Sequence, residues 1–98
     1  MRRDHILSVL RDHRDELNRK GVTHAALFGS VARGDSLPQS DIDVMIEFDA
    51  KARITIWDYA GVVEFVKSLF DGPVDVVARE SLNRHIRPSA EKDAIYAF

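Results

Sequence analysis

The sequence predicts an α/β (α+β) fold, a small sheet covered by helices in the order α-β-α-β-α-β-α. Two observations lead there. Three short runs, 23–28, 42–48 and 74–78, are rich in β-branched and apolar residues and are bounded by Gly, Pro or Asp. Segments 4–19 and 56–70 instead repeat their apolar residues at a helical period. A chain of 98 residues suits one compact domain, 1–98, and not two.

Each element has its own local reason. In the first helix, Ile6, Leu7, Val9, Leu10 and Leu17 supply the stripe, and Lys20-Gly21 stops it. Strand 23–28 ends at Gly29, a residue that adopts backbone angles others avoid and lets a ligand approach closely. Ser30 opens a short helix through Ala32, Arg33 adds a cation, and Gly34 breaks it before a loop through Pro38. Side chains alternate along strand 42–48, so Asp41, Asp43, Met45 and Glu47 share one face. After a polar loop, Thr55 caps the second long helix, with Asp58 placed as in a capping box. Its stripe of Trp57, Val62, Phe65, Val66 and Leu69 reads as core. Asp71-Gly72-Pro73 launches strand 74–78. Residues 81–87 read as helical, Pro88 starts a last turn, and 94–98 fit a helix or a short strand.

Composition narrows the function classes. The chain is 45% hydrophobic and 31% charged, an ordinary globular balance. Its net charge of −2 gives no global basic field for strong nucleic-acid binding. There is no cysteine, hence no disulfide framework and no cysteine–zinc site. No apolar run approaches the roughly 18 residues of a membrane span, and the charged N-terminus is not a signal peptide. A cytoplasmic protein is expected.

The chemistry concentrates in Gly29-Ser30 and in the acids that follow. Gly29-Ser30 offers a tight turn with backbone N–H groups and a hydroxyl for a phosphate. It is not a Walker loop, since no Gly-Lys-Ser/Thr is present. Asp41 and Asp43 lie roughly 6.5–7 Å apart along one strand face, close enough to lean together on one Mg²⁺ or a pair about 3.5–4 Å apart. Mg²⁺ takes one or two carboxylates plus substrate phosphates. Asp75 lies in a similar apolar run, Pro73-Val74-Asp75-Val76-Val77. Taken singly, each feature has a plainer reading: an isolated Gly-Ser is a turn, and alternating acids describe a half-exposed strand. The ordered combination favours nucleotide binding. His5 and His13 read as solvated helix positions, His24 as structural, and Arg84 and Arg87 as a solvated helix face.

In this order and spacing the residues resemble the nucleotidyltransferase superfamily that includes DNA polymerase beta. Within it the chain resembles the minimal nucleotidyltransferases, the antitoxin partners of HEPN-type toxins. The resemblance rests on Leu27-Phe28-Gly29-Ser30-x-Ala32-Arg33-Gly34-Asp35, Ser40-Asp41-Ile42-Asp43-Val44, Val74-Asp75-Val76-Val77 and Arg84-His85-Ile86-Arg87. Asp35 stands where many relatives have Glu.

This resemblance implies a small mixed sheet and a transfer of AMP from ATP to a hydroxyl. Asp41, Asp43 and Asp75 would hold Mg²⁺, two ions in the family's manner, and Asp75 would also orient or deprotonate the acceptor. Gly29, Ser30 and Arg33, with Asp41 and Asp43, would bind the nucleotide. The implied acceptor is a tyrosine of a HEPN ribonuclease toxin, and homo- or hetero-oligomers stay open. The chain ends about twenty residues after Asp75, so it is expected to borrow its acceptor geometry from a partner. Candidate docking positions are the outer face of helix 56–70 and Ile95, Tyr96 and Phe98. Two rivals remain: a non-catalytic module that masks the toxin, and a small-molecule nucleotidyltransferase served by a separate acceptor domain.

Overall fold

The structure is a computed structural model that describes residues 2–35, 41–82, 84–85 and 87–98. The Pro38 loop, Ser40 and Ile86 lie outside the described residues. Helices α1 (Arg2–Asp12) and α2 (Arg14–Arg19) lead into β1 (Val22–Phe28) and the short α3 (Gly29–Arg33). Strand β2 (Ile42–Phe48), helix α4 (Ile56–Ser68) and strand β3 (Val74–Ala78) follow. A 3₁₀ turn (Arg79–Ser81), α5 (Arg87–Asp93) and β4 (Ile95–Tyr96) end the chain.

The sheet is mixed, in the order β3-β2-β1-β4. β2 and β3 run parallel, with α4 as the crossover that parallel neighbours require. β1 pairs antiparallel with β2 and with β4. The main core lies on one sheet face, where Leu27, Val44, Ile46 and Val76 meet Leu10 and Leu17 from the first helices and Val62 and Val66 from α4. On the opposite face the cross-strand partners Ala26 and Met45 are also buried. Helix α5, which contributes the buried Ala90, packs against β1 and covers this part of the sheet.

Strands β2 and β3 have the expected bounds, and Thr55 and Asp58 form the expected capping box. Thr55 Oγ1 accepts from the Asp58 N–H at 3.1 Å, and the Thr55 N–H donates to Asp58 Oδ2 at 3.0 Å. Other elements differ. The single helix expected over 4–19 breaks at His13, whose Nδ1 lies 2.9 Å from the Val9 carbonyl oxygen. With the ring on that carbonyl, the His13 N–H turns to Leu10 O at 3.2 Å, a tighter i−3 bond. His13 is therefore half-buried, with its ring edge-on to Phe65, and not a solvated position. The helix expected over 81–87 is replaced by the 3₁₀ turn and by α5, which begins later. Pro88 has no N–H to continue a helix arriving from upstream and suits the first turn of a new one. Trp57, read as core, is 81% exposed, and its neighbour Ile56 is 76% exposed. Both lie in the first turn of α4, ahead of the segment anchored by Val62 and Val66.

Candidate active site

The site is built where β1 turns into α3 beside the start of β2. Gly29 has φ +73°, a left-handed conformation. A side chain there would meet the neighbouring strand. An added Cβ would collide with Asp43 Oδ2 and would lie 3.3 Å from Asp43 Cγ. The glycine thus serves two purposes: it allows the turn, and it leaves room for a carboxylate. Phe28, the residue before it, is the cross-strand partner of Asp43. The first turn of α3 has no side-chain cap, and its leading N–H groups lack helical acceptors. At its other end Gly34, also left-handed, closes the helix, its N–H donating to Ser30 O at 3.0 Å.

Asp43 and Asp75 are paired positions of the parallel strands β2 and β3 and therefore project from the same face. Asp41 stands just before β2 and is exposed, as is Asp75, whereas Asp43 is half-buried. Burial pushes the Asp43 carboxyl above the usual carboxylate range, the charges of Asp75 and Asp41 push it further, and Arg33 partly opposes them. The site thus concentrates negative charge at one half-buried carboxylate.

Arg33 is less free than its place in the sequence suggests. Its Nη1 contacts Asp93 Oδ2 of α5 at 2.7 Å, and its Nε contacts Asp35 Oδ2 at 3.2 Å. Asp93 is a member of this neighbourhood that sequence reasoning missed, because no local pattern links residues so far apart in the chain. Glu47, expected on the face of Asp41 and Asp43, does lie there, but the buried Met45 separates it from Asp43. Its own partners are Tyr96 and Arg79.

The residues fit a hard divalent cation. The donors are all carboxylate oxygens, and the crowded charge around Asp43 is what such an ion would offset. Among the described residues no three Asp, Glu or His side chains meet as a preassembled cluster. Two adjacent acids are nonetheless enough for Mg²⁺, which keeps waters and shares substrate phosphates.

Comparison with known proteins agrees with the fold. Residues 10–97 match the model of the nucleotidyltransferase domain family, and the chain belongs to that family. A Methanocaldococcus jannaschii protein, provisionally named a protein adenylyltransferase, is 37% identical over 93 residues, 93% of each chain. A solved structure provisionally described as a minimal nucleotidyltransferase superposes with a TM-score of 0.69 at 30% identity, covering 91% of this chain and 93% of its own. A chain from a toxin–antitoxin crystal structure with AMP-PNP shares the fold, with a TM-score of 0.69 at 20% identity, over 100% of this chain and 73% of its own. The protein is a nucleotidyltransferase, with a relative that carries the name of a protein-modifying enzyme. Among the described residues no helix is long and apolar enough to cross a membrane.

Proposed function

We propose that the protein transfers AMP from ATP to a tyrosine hydroxyl of a HEPN-type toxin and so neutralises it. One observation carries this reading: the Asp43 carboxylate occupies the space that a Cβ on Gly29 would need, with Asp75 in register beside it. A phosphate-binding turn and a pair of acids share one corner, as metal-assisted phosphoryl chemistry requires. Asp41, Asp43 and Asp75 would hold Mg²⁺, one ion or two, against the triphosphate. When bound, that metal offsets charge developing at the α-phosphorus. Gly29 and Ser30 bind the outer phosphates through the turn. Arg33, steadied by Asp93 and Asp35, faces the triphosphate. Asp75 is the more exposed of the paired acids and receives the proton of the acceptor hydroxyl.

The protein acceptor is supported by the relative named a protein adenylyltransferase and by the fold shared with a chain of a toxin–antitoxin assembly. Ile56 and Trp57 give the outer face of α4 an apolar surface on which such a partner docks. The test is incubation with ATP, Mg²⁺ and the product of the adjacent gene, read by intact mass. The partner is expected to gain one or more AMP units at a tyrosine. A stable complex without mass gain would leave masking without catalysis, and no complex would remove the antitoxin reading.

A further inference from the structure

A second cluster lies on the same sheet face as Asp43, beyond Met45. It surrounds a cavity of about 500 Å³ lined by His24, Glu47, Arg79, Tyr96 and Phe98. Tyr96 is on the edge strand β4 and is 44% exposed. Its hydroxyl donates to Glu47 Oε2 at 2.8 Å. Arg79 reaches Glu47 at 3.6 Å and holds Glu91 at 2.9 Å. His24 sits edge-on to the Tyr96 ring at 6.0 Å. An accessible phenol, a carboxylate on its proton, an adjacent guanidinium and an open cavity with aromatic walls are the parts an acceptor of a nucleotidyl group needs. The chain's other tyrosine is placed differently: Tyr59 is half-buried against the core and accepts the Ala78 N–H through its hydroxyl.

We propose that Tyr96 is itself an acceptor, adenylylated by a second copy of this chain. The proposal rests on the transferase reading above. The fold favours transfer between copies over transfer within one. Asp43 and Glu47 are about 13 Å apart along β2, and the buried Met45 lies between them. In the step, Tyr96 Oη forms a bond to the α-phosphorus of ATP. The bond from that phosphorus to the bridging oxygen breaks, and pyrophosphate leaves with the electron pair. The phenolic proton passes to the Glu47 carboxylate. Arg79 then turns toward the new phosphodiester, whose charge replaces the proton-sharing contact between Tyr96 and Glu47.

The test mixes wild-type protein with an Asp43→Asn chain as acceptor, in ATP and Mg²⁺, with intact mass and peptide mapping as the readout. N-acetyltyrosinamide serves as a minimal tyrosine acceptor in a parallel reaction. The Asp43→Asn chain is expected to gain one AMP unit at Tyr96, at a rate that rises with wild-type concentration. Tyr96→Phe in that acceptor chain should remove the gain. Glu47→Gln in the acceptor chain should slow it by on the order of 10²-fold, the contribution of one positioned base. If AMP reaches N-acetyltyrosinamide but not Tyr96, this proposal falls alone. If AMP reaches neither, and no pyrophosphate is released with any protein acceptor, the transferase reading falls with it.

Discussion

The two ends of one sheet face hold the same kind of residue in opposite states. At the β2 start, Asp43 faces Asp75 and Asp41, and among the described residues the cation that opposes their charge, Arg33, is already paired with Asp93 and Asp35. At the β2 end, Glu47 accepts from Tyr96 and lies beside Arg79, which also holds Glu91. The strand alternates in the same way at both ends, so pattern alone does not separate them. Neutralisation does. Glu47 has its counter-charge within the fold and helps hold the chain's end against β2. Asp43 keeps an excess of negative charge at a half-buried position, which a chain built only for stability would not retain. A positively charged ligand would offset such crowded charge.

The contrast is broken most strongly by removing the charge at Asp43. Asp43→Asn should slow AMP transfer by on the order of 10²–10³, the usual loss when one preorganised electrostatic contact is removed. The same change should raise the melting temperature of the metal-free protein. The sign follows from the raised carboxyl. A folded state that binds a proton more tightly than the unfolded chain loses stability as pH rises through the window between the unfolded and folded values. The ionised Asp43 is thus a liability at neutral pH, and asparagine removes it. Thermal denaturation across acidic to neutral pH, with and without Mg²⁺ and ATP, measures both effects. A mutant that melts lower than wild type at neutral pH would show that Asp43 stabilises the fold.

Gly29 and Gly72 sharpen the comparison, because both are left-handed but only one faces an acid. Gly72 has φ +92° and nothing within 4 Å of an added Cβ. Gly72→Ala should therefore cost only the left-handed backbone term, about 1–2 kcal/mol. Gly29→Ala carries that term and also forces the Asp43 carboxylate aside. It should lower stability clearly more than Gly72→Ala and abolish ATP binding, measured by denaturation and calorimetry. Equal losses in the two variants, with ATP bound normally by Gly29→Ala, would sink the idea that turn and acid form one corner.

At the far end the expected effect is smaller. Glu47→Gln keeps a hydrogen-bond acceptor for Tyr96 and removes a partly exposed ion pair with Arg79. A loss of about 0.5–1.5 kcal/mol is expected, with ATP affinity unchanged. A marked fall in ATP affinity would mean that the two ends are coupled through β2.

How much of this was legible in the sequence follows the range of the forces involved. Strands β2 and β3 and the capping box depend on neighbours in sequence or on strand alternation, and they were readable. The meeting of Gly29, Asp43 and Asp75 depends on pairing between distant strands, and in the sequence it was the family resemblance that linked all three. The break at His13 depends on a ring taking the Val9 carbonyl, which periodicity does not encode. Strand β4 has two residues and exists because β1 offers it an edge. The Arg33–Asp93 pair joins elements whose residues lie 60 positions apart in the chain. Trp57 shows the limit of a helical stripe. Periodicity tells which side of α4 is apolar, but not that its first turn stands clear of the sheet.

That misreading supplies the smallest expected effect on the fold and the last test. Trp57 is 81% exposed, and Ile56 beside it is 76% exposed. The nearby Lys20 ammonium lies over Phe65, 5.1 Å from its centroid, so the indole is not needed to hold it. Trp57→Ala should therefore change stability by no more than about 0.5 kcal/mol and leave ATP binding intact. A drop of about 4–8 °C in melting temperature, equivalent to roughly 1 kcal/mol in a chain this size, would mean that the indole packs on the fold after all. If the α4 face docks a protein partner, a large aromatic there is a natural anchor, and its truncation should weaken the complex by about 2 kcal/mol or more. Titration of the partner against wild type and Trp57→Ala measures this. Undiminished affinity would move the docking surface away from α4. Weakened affinity with unchanged fold and nucleotide binding would separate the residues that dock the acceptor from those that carry the chemistry.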